Sequence, residues 1–243
     1  MQELEKTREM LKTRWPELDR SATDQGTGKP APPMQKPCSS RKLVLPEPRA
    51  AVKTSLSLVD AIASRQSHRS FSDEELSIDE LSYLLWATQG VRKVTPKASL
   101  RTVPSGGARH PLETYLFVSR VRGLESGLYR YLPLDHALCE ERRMTDFEQQ
   151  LDEALLKHHF GAALDFVWTA IPYRCEWSYS RESLRLILLD AGHVCAHLYL
   201  ACQDVGCGTC AVGAYDQQKL DALVGVDGSS EFCVYAAPVG RPR

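Results

Sequence analysis

Arg65-Gln66-Ser67-His68-Arg69 places two guanidiniums and a hydroxyl within five residues. Guanidinium forks grip phosphate through paired N–H donors, and a serine hydroxyl adds a third contact. The segment therefore reads either as an anion site or as a solvated helix end. Further on, Pro104-Ser105-Gly106-Gly107-Ala108-Arg109-His110-Pro111 sets adjacent glycines beside Ser and Pro. That composition suits a loop whose backbone N–H groups approach an acceptor-rich ligand, with a plain surface loop as the alternative. A third concentration of chemistry is Cys202-x4-Cys207-x2-Cys210, interleaved with Gly206, Gly208 and Gly213. Two readings compete for it, a thiolate metal site and a backbone cradle for a cofactor.

The spacing matches the start of a plant-type iron–sulfur motif. Against it, Cys202 falls in the last turns of a helical pattern, and Cys233 lies in an apolar run at a different separation. Buried, small-hydrophobe cysteines are the simpler reading, and no metal is expected. Cys207-Gly208-Thr209-Cys210 closes a helix, whereas thioredoxin-like dithiols open one. His193 and His197 are i and i+4 on one helix and could share a zinc ion. The residues between them include no glutamate and no third ligand is evident, so core or interface histidines are expected. His158-His159 reads as a pair facing a helix dipole.

These groups need a scaffold, and composition bounds it. The chain has 243 residues, 43% hydrophobic and 25% charged, which fits one globular domain with an ordinary core. Thirty basic against 31 acidic residues give a net charge of −1, so neither nucleic acid nor an anionic membrane is expected as a partner. The N-terminus lacks the apolar stretch of a signal peptide, and a cytoplasmic protein is expected. Eight cysteines then read as free thiols or ligands rather than a disulfide framework.

Residues 1–55 read as an arm. A short charged helix near Glu3–Arg14 precedes a stretch with Pro30, Pro32, Pro33, Pro37, Pro46 and Pro48, which favours an extended path, either as a disordered leader or as an ordered strap. The body, residues 56–243, opens with a helix capped by Ser57. Ser77 and Glu80 form a capping box for a second helix over Leu81, Leu84, Leu85 and Thr88, with Gly90 as its C′ stop. Residues 91–111 read as a functional loop rather than a hairpin. Runs at 114–121 and 127–132 suggest antiparallel pairing, Thr145 to Glu148 a helix cap, and 166–173 and 232–239 central strands. Apolar residues from Leu184 to Val205 make a long helix expected to be buried nearly all round. Asp216 caps a short last helix. Hairpins mixed with helices favour an α+β class over a doubly wound sheet.

In order, SLVDAIASRQSHRSF, LSYLLWATQGV, RTVPSGGARHPLETYLFV, GLYRY, LLDAGH and GCGTCAVGAYD over residues 57–240 resemble the FMN-dependent nitroreductase superfamily, and within it the SagB-type dehydrogenase branch that includes azoline oxidases of peptide natural-product pathways. The resemblance implies an α+β fold with a central, mainly antiparallel sheet wrapped by helices, and a homodimer with FMN at the interface. Carried over by position, Arg65, Ser67 and Arg69 hold the FMN phosphate and ribityl chain, with Gln66 where the family usually has a second Arg. Pro104, Ser105, Gly106 and Gly107 approach the ring from the partner subunit. Ala211, Val212, Gly213 and Ala214 line its other side, the last two amides near flavin N5, and Arg241 stands where the family has a late basic phosphate contact.

The resemblance implies an FMN-dependent oxidoreductase that passes hydride from NAD(P)H to a small oxidised acceptor such as a nitroaromatic or quinone. SagB-type dehydrogenation of a peptide or azoline is the alternative, and a non-catalytic flavin-binding protein a third reading. The azoline oxidases carry a Lys-Tyr pair before the LLDAGH helix; here it is Ser178-Tyr179. Serine has no basic side chain to remove a proton, while Tyr179 could still donate or accept a hydrogen bond.

Overall fold

The computed structural model describes residues 2–48 and 56–243; the arm–body boundary expected at residue 55 lies outside the described residues. The arm holds helix α1 (Gln2–Glu9) and strand β1 (Lys42–Val44). Then come α2 (Leu58–Ser64), β2 (Leu76–Ser77), α3 (Ile78–Gln89), β3 (Val91–Val94), β4 (Ser99–Arg101), β5 (Leu112–Val118), β6 (Val121–Arg122), β7 (Gly127–Leu132) and β8 (Ala137–Arg143). The chain continues through α4 (Glu148–Ala154), β9 (Leu164–Ala170), α5 (Tyr173–Tyr179), α6 (Ser183–Asp204), β10 (Gly208–Thr209), α7 (Gln217–Val224) and β11 (Phe232–Gly240).

Seven strands form one sheet in the order β1-β8-β7-β5-β9-β11-β10, with every neighbouring pair antiparallel. Successive side chains of a strand point to opposite faces, and both faces here are covered. Leu116, Phe166 and Trp168 join Leu81, Leu84 and Leu85 of α3 and Leu198 of α6 in one core cluster. Phe117 and Val167, one residue out of phase, join Leu151 of α4 and Leu220 of α7 in another. Helices on both faces of an antiparallel sheet make an α+β fold.

Local hydrogen bonds explain where three of the helices begin. Ser57 Oγ accepts from Asp60 N–H at 3.1 Å and Asp216 from Lys219 N–H at 3.1 Å. Ser77 and Glu80 exchange side-chain and backbone bonds in the expected capping box. Elsewhere expectation and structure differ. Gly90 ends α3 with φ −59° and ψ 137°, not in a left-handed C′ conformation; a glycine fits there because a Cβ would lie 2.4 Å from the Trp86 ring. No side-chain bond from Thr145 starts α4, whose N-cap is Phe147 in helical conformation. Residues 91–101 do form a hairpin, β3 against β4, because Thr95 closes its turn onto Ala98 through both N–H and Oγ1. Helix α6 is buried on one side only, with Leu184, Leu188, Leu189, Gly192 and Ala196 exposed. Its apolar stretch therefore continues to the surface.

The arm is an ordered strap over residues 2–48. Three buried arginines of the body donate to its carbonyls: Arg174 to Pro33 O at 3.0 Å, Arg101 to Met34 O at 3.0 Å, and Arg130 to Pro37 O at 2.7 Å. Prolines suit this path because they offer a carbonyl without an N–H that would need its own partner. Buried Glu113 balances two of these charges, accepting from both Arg130 and Arg174. The free-thiol expectation is corrected at one place: Cys38 of the strap and Cys139 of β8 form a disulfide with Cα atoms 5.7 Å apart. Residues 101 apart in sequence gave no local sign of this pairing.

Candidate functional site

Helix α6 positions the expected site segments through two buried polar side chains, Asp190 and Tyr199. Near its middle, Asp190 is buried and accepts from Ser105 Oγ at 2.5 Å and Gly106 N–H at 3.2 Å. Ser105 Oγ in turn accepts from His110 N–H at 2.9 Å, so the 104–110 loop is folded around one hydroxyl. Burial pushes the Asp190 carboxyl up, and the two loop donors pull it back. Within that loop Gly107 has φ +58°, and a Cβ on it would lie 2.0 Å from the Tyr179 hydroxyl. Only glycine allows the phenol to sit directly on this turn.

Nine residues later on α6, Tyr199 joins two other segments. Its hydroxyl shares a hydrogen bond with Ser67 Oγ at 2.8 Å and accepts from Ala211 N–H at 2.8 Å. Its ring carries the Arg65 guanidinium at 5.3 Å. Backbone pairing reinforces the junction: Ser67 bridges Thr209, and His68 N–H donates to Thr209 O at 3.0 Å. A Cβ at Gly208 would come within 2.6 Å of the His68 ring, so glycine permits this close approach. The 65–69 segment and the 211–214 turn thus meet at one place.

The donor set there suits an anion joined to an acceptor-rich group. Arg65 and Arg69 are exposed, and among the described residues neither has a carboxylate partner. Val212 is tied to Ala236 in both directions, at 2.8 and 3.1 Å. Gly213 and Ala214 are exposed, their N–H groups carry no hydrogen bond among the described residues, and the nearest atom to a Gly213 Cβ is 3.9 Å away. Such a turn can receive a flat ligand edge-on. Gln66 is also exposed.

Arg241 is engaged otherwise. Its guanidinium donates to Val205 O at 2.6 Å and Cys207 Sγ at 3.4 Å and pairs with Glu80, which fixes the C-terminal end of α6. The following chain runs beside the arginine segment, Phe71 bridging Pro242. Cys202, Cys207 and Cys210 are buried thiols. Burial raises Cys207 to about 12, which keeps it protonated in the turn's packing. His193 is exposed and His197 Nδ1 lies 3.1 Å from Ala87 O, so the two face different surroundings.

The 104–107 loop is not brought to the 65–69 and 211–214 junction within one chain. Asp190 and Tyr199 stand about 13 Å apart along α6, at a 1.5 Å rise per residue. Neither residue figured among the expected site residues. Their only sign in the sequence was a carboxylate and a phenol on an apolar helix, where a buried polar group needs a partner.

Residues 62–241 match the Nitroreductase family. A nitroreductase-family protein of Methanocaldococcus jannaschii is 34% identical over 190 residues, covering 76% of this chain and 91% of that one. The trifolitoxin-processing protein TfxB of Rhizobium leguminosarum bv. trifolii is 29% identical over 180 residues, 69% of this chain but only 48% of TfxB. Among solved structures, a nitroreductase-family protein of Ralstonia eutropha superposes with a TM-score of 0.69 at 26% identity, covering 86% of this chain and 92% of that one. A chain of the E. coli microcin synthetase McbBCD complex, solved with truncated pro-MccB17 bound, shares the fold at TM-score 0.62 and 20% identity, covering 79% of this chain and 76% of that one. A match over residues 62–241, most of the chain, together with the archaeal relative, establishes that this protein belongs to the nitroreductase family of oxidoreductases.

Proposed function

We propose that this protein is an FMN-dependent oxidoreductase that works as a homodimer, with NAD(P)H as electron donor and a small oxidised acceptor such as a nitroaromatic or quinone. The observation that carries the reading is the Tyr199 junction, which holds Arg65 and Ser67 beside a turn with two exposed amides; among the described residues Arg65 and Arg69 have no carboxylate partner and those amides no hydrogen bond. Arg65, Ser67 and Arg69 would take the phosphate, with Gln66 beside them. Ala211 and Val212 anchor the turn to Tyr199 and Ala236, so that the Gly213 and Ala214 amides would meet the ring. When bound, FMN supplies two-electron redox chemistry between donor and acceptor. Amides held in place before the ligand arrives favour negative charge on the group they face, without reorganisation. Arg241 serves this reading by fixing the end of α6 through Val205 and Glu80 rather than by contacting the phosphate.

Dimerisation is supported by two further observations. Leu58, Val59 and Ile62 of α2 are 67%, 75% and 59% exposed, and α6 exposes Leu184, Leu188 and Leu189. Exposed apolar surface of this extent marks an interaction face. The roughly 13 Å between the two anchor points on α6 also supports Pro104, Ser105, Gly106 and Gly107 reaching the ring of the other subunit. A second reading, SagB-type dehydrogenation of an azoline, is favoured by the likeness to TfxB. Against it, Ser178 is buried and cannot act as a base.

Arg65→Ala and Arg69→Ala test the assignment. A charge-assisted hydrogen bond is worth about 1.5–3 kcal/mol, so each substitution should weaken FMN binding roughly 10- to 100-fold while leaving the far-UV circular dichroism spectrum unchanged. Unchanged FMN affinity in both variants would overturn it.

A further inference from the structure

Residues 81–112 carry Arg92, Lys93, Lys97, Arg101 and Arg109 and no aspartate or glutamate, in a chain whose net charge is −1. The folded chain uses one of these five inside the body, since buried Arg101 donates to Gln89 at 2.7 Å and to Met34 O at 3.0 Å. The other four are left near the surface. Arg92, Lys93 and Lys97 stand exposed on the β3–β4 hairpin, and Arg109 is half-buried beside it. Among the described residues none of the four pairs with a carboxylate. A surface region of one sign raises the local concentration of oppositely charged ligands.

Hydrogen bonds fix where this charge sits. Arg109 Nε donates to Gly107 O at 3.1 Å, its Nη2 donates to Lys97 O at 2.9 Å, and its guanidinium lies 5.2 Å from the centre of the Trp177 ring. One side chain therefore ties the tip of the hairpin to the glycine turn. Both acceptors are neutral carbonyls, so the charge is held in place but not cancelled. The hairpin turn is closed by Thr95 and Ala98, whose backbone and hydroxyl groups exchange three bonds of 2.8–3.0 Å. Lys97 stands in that turn and Lys93 four residues before it, at most about 14 Å away along an extended chain. Arg92 Nε donates to Arg101 O at 2.9 Å, which lays it along the hairpin.

We propose that the hairpin tip and Arg109 form the phosphate subsite for the electron donor, and that this subsite selects NADPH over NADH. This rests on the reading in which the 104–107 turn borders the flavin ring of the other subunit. A nicotinamide stacked on that ring is joined to its phosphates through a ribose, so they fall beside the ring, where Arg109 is fixed to the turn at Gly107. A guanidinium fork held on an aromatic face suits the paired oxygens of a pyrophosphate. Lysine ammoniums are point charges on flexible stems, which suits the terminal 2′-phosphate that NADPH has and NADH lacks. A phosphate monoester carries about −1.5 to −2 charge at neutral pH, so Lys93 and Lys97 together match it.

The test uses full-length protein loaded with FMN and the double variant Lys93→Ala, Lys97→Ala, two exposed positions whose replacement should leave the fold intact. Isothermal titration with adenosine 2′,5′-bisphosphate and with 5′-AMP reads the 2′-phosphate contact directly, and anaerobic flavin reduction gives the Kd of NADPH and of NADH. The parent should bind the bisphosphate about tenfold or more tighter than AMP, and NADPH tighter than NADH by a similar factor. In the double variant both ratios should fall to within about threefold of unity, with FMN content and the far-UV circular dichroism spectrum unchanged. Higher ionic strength should weaken NADPH more than NADH in the parent. Arg109→Gln should weaken both nucleotides alike, because the pyrophosphate is common to them. A parent that prefers neither NADPH nor the bisphosphate, a double variant that keeps the parent ratios, or an Arg109→Gln protein with unchanged affinity for both nucleotides overturns the inference and leaves the functional reading intact, since NADH could still serve. A loaded protein whose flavin neither nucleotide bleaches overturns both.

Discussion

Replacing Tyr199 by phenylalanine removes one oxygen atom and, with it, the link between the arginine segment and the amide turn. The ring stays, so packing in α6 and the Arg65 contact at 5.3 Å are kept. Lost are the bond shared with Ser67 Oγ and the one accepted from Ala211 N–H, both 2.8 Å. A neutral hydrogen bond contributes a net 0.5–1.5 kcal/mol or so, which puts the pair at roughly 2 kcal/mol. Part of that cost falls on the free protein, since Tyr199 is buried and Ala211 N–H loses its acceptor. At 2–4 °C per kcal/mol for a chain of this size, a drop in Tm of a few degrees is expected. The rest falls on preorganisation. Ser67 stays near the turn through its bridge to Thr209 and Val212 stays paired with Ala236, but Ala211, where the turn begins, loses its anchor from below. We expect the FMN dissociation constant, followed by quenching of FMN fluorescence, to rise about 10-fold, within the roughly 30-fold ceiling that 2 kcal/mol allows. A variant that melts lower yet binds FMN within twofold of the parent would refute the reasoning, because the hydroxyl would then be only a satisfied core group.

Two further outcomes follow from the buried charges. Glu113 lies between Arg130 and Arg174, all three almost fully buried. Glu113→Gln leaves both cations without their shared anion, at a cost of about 3–5 kcal/mol; thermal unfolding should show a Tm lower by roughly 6–20 °C, and a change under 2 °C would contradict the account. His110 is pushed down to about 3, first by burial and then by Arg101, with smaller effects of Arg109 and Arg174. The unfolded chain takes up that proton near the ordinary value of 6.5 and the folded one does not. Its contribution is therefore fully present above pH 6.5 and declines as pH falls toward 3, by up to about 1.4 kcal/mol per pH unit. Urea unfolding of His110→Asn at pH 6.5 and pH 5 should show a loss of stability smaller than the parent's by up to about 2 kcal/mol. Equal losses would mean that His110 is not held neutral.

What could be read from the sequence was what local bonding decides. Ser57, Ser77 and Asp216 start helices because a hydroxyl or carboxylate meets an N–H three residues on, and such contacts survive any tertiary arrangement. The apolar runs became β9 and β11 for a similar reason: a strand covered on both faces reads as continuous hydrophobicity. At Thr145 the same logic failed, since Phe147 is drawn into the core beside Phe117 and sets where α4 begins. The hairpin at 91–101 was hidden because its strands are short, β3 is largely exposed, and β4 buries Ser99 and Arg101 while exposing Leu100, the reverse of the usual polarity. The strap, the Cys38–Cys139 disulfide and the Asp190 and Tyr199 bridges all join residues far apart in sequence. No periodicity or spacing reports contacts of that kind. The glycine turns at 106–107 and 213 were legible as turns, but the seat of Tyr179 on Gly107 emerged only from the folded chain.

The central claim is that the Tyr199 junction and its arginine pair form an FMN site that serves redox turnover. The most direct measurement is the visible absorption spectrum of the purified protein, loaded with FMN if needed, before and after anaerobic addition of NADH or NADPH. The account predicts a yellow protein with one FMN per chain whose flavin band bleaches with at least one of the two nucleotides and returns when a quinone is added. A protein that stays colourless after incubation with FMN, or one whose bound flavin neither nucleotide bleaches, would contradict it.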